Sequence, residues 1–74
     1  MGVDEENPIP ASELFATAKR LLTPHQYDAV MLCWALGWTH SRAGFALGIA
    51  EDSVRSRLRG ARHRLVRELA KEAV

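Results

Sequence analysis

The chain has 74 residues, enough for one small domain. A domain of this size buries only about 60% of the surface its unfolded chain exposes, so its core is expected to be thin. Hydrophobic residues make up 47% and charged residues 26%, which excludes a disordered tail and fits a soluble globular domain.

The formal net charge of +1 conceals an asymmetry. Residues 1–37 carry Lys19 and Arg20 against Asp4, Glu5, Glu6, Glu13 and Asp28, a balance of −3. Residues 38–74 carry seven arginines and Lys71 against Glu51, Asp52, Glu68 and Glu72, a balance of +4. A basic half of this kind marks either a surface that meets a polyanion or a solvated helix face. The single cysteine, Cys33, makes no internal disulfide. The longest apolar run, AVMLCWAL at 29–36, is about half a membrane span. The opening MGVDEENPIP lacks the basic start and apolar stretch of a signal peptide, so the expected location is cytoplasmic, with no membrane contact.

In chain order, residues 1–11 form an acidic segment with Asn-Pro and Ile-Pro steps that resist helix, and mobility is expected there. The folded domain is expected over residues 12–74. Ser12 offers an N-cap, and Leu14, Phe15, Ala18, Leu21 and Leu22 recur at helical spacing, which predicts a short first helix. Thr23-Pro24 starts a second, since Thr caps and Pro is tolerated at the first helical position. It runs to about Leu36, where Gly37 can take the left-handed C-terminal conformation. From Ala29 to Leu36 this helix is apolar nearly all round, so it is central to the domain or keeps one side for a partner. Trp34 and Trp38, four residues apart, are expected in the core.

Thr39 caps a third helix ending near Leu47, with Gly48 suited to the left-handed position and Ile49 an apolar plug. Glu51 and Asp52 then sit where acids favour a helix start. Val54, Leu58, Ala61, Leu65 and Leu69 step by four, three, four and four, the helical period over about four turns. The arginines of VRSRLRGARHRLVR (54–67), with no acid among them, therefore lie on a fourth, long helix. Arg55, Arg59 and Arg62 fall on one flank, Arg57 and Arg64 on the other, with Ser56 and His63 between. The expected fold is all-α, four helices, with the third and fourth forming a helix-turn-helix in which one helix braces the other for the major groove.

Residues 22–69, 48 of the 74, resemble region four of bacterial sigma factors without a gap, and the extracytoplasmic-function type above all. They are less closely similar to the DNA-binding domain of LuxR-type regulators. The resemblance is carried by Leu22, Pro24, Gln26, Trp34, Gly37 and Thr39, by LGI (47–49) at the turn, and by SVRSRLRGAR (53–62) as a recognition-helix signature. It implies a domain that reads the promoter −35 element with that helix and touches the flap of the RNA polymerase β subunit. In the family pattern Ala43, Ala46 and Leu47 point inward, which turns Phe45 outward and makes it a candidate protein interface. The chain departs from the family at Arg42-Ala43-Gly44, where Glu-Ile-Ala is usual, and at Ala50, which replaces a capping Ser worth about 1 kcal/mol. No counterpart of region two occurs in the sequence, so a stand-alone regulator, of the sort a bacterium or bacteriophage uses, is expected rather than a complete sigma factor.

The candidate DNA-binding residues are Arg42, Glu51, Asp52, Ser53, Arg55, Ser56, Arg57, Arg59 and Arg62, with phosphate contact expected of the six arginines of 54–67. Glu51, Asp52, Ser53, Arg55 and Ser56, together with Arg59, are the candidates for reading base edges. Phosphate contacts give affinity without sequence information; arginine can grip guanine O6 and N7, and acids can accept from cytosine N4. His25, His40 and His63 have no ligand-like spacing with Cys33, so no metal is expected, and nothing points to a cofactor or to catalysis. Three functions compete. The first is a sequence-specific regulator binding double-stranded DNA, with or without homodimerisation. The second is a protein-interaction module for RNA polymerase or a sigma or anti-sigma factor. The third is the DNA-recognition piece of a packaging or recombination assembly.

Overall fold

The computed structural model describes residues 11–73, with side chains from Phe15 to Lys71, and these residues form helices joined by short turns with no strand among them. The expected acidic segment lies outside the described residues, save Ala11. Helix α1 spans Ala11–Leu21 and α2 spans Pro24–Val30, the latter continuing into a π-helical turn, Met31–Ala35. Helix α3 spans His40–Leu47 and α4 spans Glu51–Ala73. Ser12 is already helical and is not the flanking cap that the sequence suggested.

The other start and stop signals act as the sequence reading expects. At α2 the Gln26 N–H donates to Thr23 Oγ1 and the Thr23 N–H donates to Gln26 Oε1, both at 3.2 Å, so two orphan donors are satisfied reciprocally. At α3 the Arg42 N–H donates to Thr39 Oγ1 at 3.1 Å. Gly37 and Gly48 carry φ of 74° and 72°, the left-handed region that ends a helix without a Cβ penalty.

Helices α1, α2 and α3 all pack on α4. The buried hydrophobic residues are Ala18 of α1, Leu22 just beyond it, Ala29 and Val30 of α2, Ala43 of α3, and Val54, Leu58 and Ala61 of α4. Four of these eight are alanines, so the helices approach closely and the core is thin. Tyr27, Leu32, Cys33, Ile49 and Leu65 pack around it, half-buried. Gly44 marks the tightest approach: a Cβ there would lie 2.7 Å from the Ile49 carbonyl oxygen.

Two expectations about inward-facing residues fail. Trp34 is 42% exposed rather than core, and it lies within the π-helical turn Met31–Ala35. The Leu36 N–H donates to the Met31 carbonyl five residues back, at 3.0 Å. The wider turn departs from the α-helical period, so Trp34 does not repeat the inward position of Val30 four residues earlier. Trp38 is half-buried. Ala46 is exposed, not inward, whereas Ala43 is buried and Leu47 half-buried.

Candidate nucleic-acid interface

Helix α4 has two sides. Val54, Leu58 and Ala61 are buried against the other helices, with Leu65 and Leu69 half-buried further along, as the four-three-four-four spacing requires. The opposite side exposes Glu51, Asp52, Arg55, Ser56, Arg59, Arg62 and His63, while Ser53 and Arg57 are half-buried at its margins.

At the leading end, Arg55 lies between two acids. Its Nη2 donates to Glu51 Oε2 at 2.6 Å and its Nη1 to Asp52 Oδ1 at 3.0 Å. The two carboxylates complement the positive end of the helix dipole and hold the guanidinium in a defined position. All three side chains are solvent-exposed, so the pairs contribute little to stability. Their consequence is local charge: the first turn of α4 is net acidic and the basic field begins beyond it.

Further along, Arg55, Arg59, Arg62, His40 and His63 come together with Trp34 and Leu58 around an open cleft of about 400 Å³. Among the described residues no carboxylate lines it. Among the described residues no acid pairs with Arg57, Arg59 or Arg62, whose charges therefore stay available to an anion. Arg62 lies over the Trp34 ring at 5.9 Å from the centroid, and Arg42, at the start of α3, over Trp38 at 4.1 Å.

The structure thus gathers Arg55, Arg59 and Arg62 on one flank and leaves Arg57 on the other. Arg42 projects from a different helix, stacked on its tryptophan. Arg64 is turned inward: its Nε donates to the Leu21 carbonyl at the end of α1, a cation placed where that helix leaves its last carbonyls unpaired. Phe45 projects from α3 and is 91% exposed. Trp34, His40 and His63 were not candidate site residues in the sequence reading. The one signal for Trp34 was an apolar run too wide for so thin a core to cover.

Among the described residues no group of three or more His, Cys, Asp or Glu is placed to hold a metal ion, and no helix is long and apolar enough to cross a membrane. Half-burial pushes the Cys33 thiol above its ordinary pKa by desolvation. Comparison of the chain with protein-family models, with curated proteins and with solved structures finds no match.

Proposed function

We propose that this domain is a sequence-specific, duplex-DNA-binding transcription regulator that uses α3 and α4 as a helix-turn-helix, in the manner of the sigma region four it resembles. The observation that carries this reading is the side of α4 turned away from the core. Arg55, Arg59 and Arg62 share one flank there, and among the described residues no acid pairs with the last two and no carboxylate lines the cleft between them. The close seating of Gly44 on the turn supports a fixed angle between α3 and α4, which reading base edges requires.

In this reading Arg42, Arg57, Arg59 and Arg62 meet phosphates, and Arg55 and Ser56, with Glu51, Asp52 and Ser53, meet base edges at the leading end. Fluorescence anisotropy on duplex DNA tests it. About four phosphate contacts give a slope near −3.6 in log K against log salt, or roughly a 150-fold loss between 50 and 200 mM. A flat salt response refutes the reading.

Phe45 favours a second reading, a protein-interaction module for RNA polymerase, a sigma or anti-sigma factor, or a second copy of the chain. A phenyl ring 91% exposed gains about 1.5–3 kcal/mol when a partner covers it. The two readings use different faces and are separable by mutation.

A further inference from the structure

Each tryptophan has an arginine over it, but the two pairs are spaced differently. The Arg42 guanidinium carbon is 4.1 Å from the Trp38 centroid, which is close to contact between two planar groups. That pair is closed. The Arg62 carbon is 5.9 Å from the Trp34 centroid. Stacked planes in nucleic acid lie about 3.4 Å apart, so a third plane between ring and guanidinium needs about 7 Å. Arg62 is exposed and unpaired by any acid among the described residues, and a swing of about 1 Å at its tip opens that space. Trp34 and Arg62 are therefore spaced so that this small movement lets a base enter between them.

The pair belongs to the cleft of about 400 Å³, within the range of small-ligand sites. Leu58 adds apolar lining, and Arg59, one turn from Arg62 and unpaired by any acid among the described residues, adds a guanidinium that can meet an anion. An aromatic face beside unpaired arginines fits a base joined to a phosphate. A duplex hides its base faces by stacking, so only an unpaired nucleotide can enter.

We propose that this cleft binds an unpaired nucleotide unit, its base stacked between Trp34 and Arg62 and its phosphate held by Arg59. The site shares Arg59 and Arg62 with the duplex reading but does not depend on it, because that reading rests base recognition on the leading end of α4 and makes no use of Trp34. Stacking accepts any base, so little sequence preference accompanies it.

The test uses the full chain carrying Trp38→Phe, which leaves Trp34 as the sole tryptophan. Single-stranded oligothymidylate of about eight nucleotides should quench Trp34 emission to saturation. In the otherwise native chain, Trp34→Ala should weaken binding of this oligonucleotide by about 5- to 150-fold and leave duplex affinity nearly unchanged. Trp34→Phe should retain most of the binding. Arg62→Lys, which keeps the charge and loses the plane, should weaken the single strand more than the duplex, and these two variants decide the matter if Trp34→Ala unfolds.

Quenching by thymidine monophosphate as well would make the free nucleotide a sufficient ligand; quenching by the oligonucleotide alone would assign the site to a strand. The proposal is overturned if the oligonucleotide does not bind, or if it binds without changing Trp34 emission. It is also overturned if Asp4→Asn with Glu5→Gln and Glu6→Gln shifts that emission in the absence of nucleotide, since the chain's own acidic segment would then occupy the cleft. Loss of duplex binding in Arg55→Ala with the quenching intact, or the reverse, keeps the fate of this site distinct from that of the duplex reading.

Discussion

Replacing Gly44 with Ala sets two effects of opposite sign against each other. In an exposed helix interior, Gly to Ala gains about 1 kcal/mol of helix propensity. At this position the new Cβ would stand 2.7 Å from the Ile49 carbonyl oxygen and 3.5 Å from Ala50 and Glu51 backbone atoms. The obstacle is backbone, so it cannot swing aside as a side chain would. The Ile49 N–H also donates to the Gly44 carbonyl at 2.9 Å, and moving the turn away stretches that bond. Overpacking costs about 1–3 kcal/mol and a weakened backbone bond about 1 kcal/mol. The net expectation is a loss of roughly 1–3 kcal/mol, or about 5–20 °C in Tm for a domain of this size. Thermal unfolding by circular dichroism measures it. Gly48→Ala serves as a comparison, because nothing lies within 4 Å of its Cβ and only the left-handed φ of 72° penalises it, by about 1–2 kcal/mol. An unchanged or raised Tm in Gly44→Ala would mean that α3 does not rest on the turn, and the argument for a fixed angle between α3 and α4 would fall with it.

The two flanks of α4 should respond differently. Arg55→Ala should weaken a preferred DNA site more than random duplex, whereas Arg64→Ala should lower Tm by several degrees, from a lost charged hydrogen bond of about 1 kcal/mol or more, with little effect on specificity. Equal effects on DNA binding from both would show that the arginines act only as a charge field. Phe45→Glu should leave Tm nearly unchanged and abolish any self-association or polymerase contact seen by analytical ultracentrifugation or pull-down; unfolding would place Phe45 in the core. Because desolvation raises the Cys33 pKa, less thiolate exists at any given pH, and alkylation near neutrality should run slower in the folded chain than in denaturant. An equal rate in both would show the thiol to be open to solvent.

Much of the fold was legible because its punctuation is local. Thr23, Thr39, Gly37 and Gly48 act within a turn of themselves, and a single sequence displays such signals directly. The stripe Val54–Leu58–Ala61 was equally readable, since an α-helix preserves its period wherever it packs. Trp34 was not. Its orientation depends on a π-helical turn, and no residue type in MLCWA announces a hydrogen bond from i+5 rather than i+4. The exposure of Phe45 was foreseen, but from a family pattern that placed Ala46 inward, where the structure exposes it. Arg55, Arg59 and Arg62 were correctly grouped by helical phase. The inward turn of Arg64 depends on where α1 ends in space, which lies beyond periodicity.

The bond from Arg64 to the Leu21 carbonyl joins residues 43 apart in the chain. Helical turns and neighbouring helices form from local contacts, whereas a link of this span must await closure of the loop between its ends. An interaction completed late in folding contributes little to the rate of folding and mainly slows unfolding. Arg64→Ala should therefore speed unfolding more than it slows folding, a change that stopped-flow kinetics would measure separately from any effect on the arginines of the leading half.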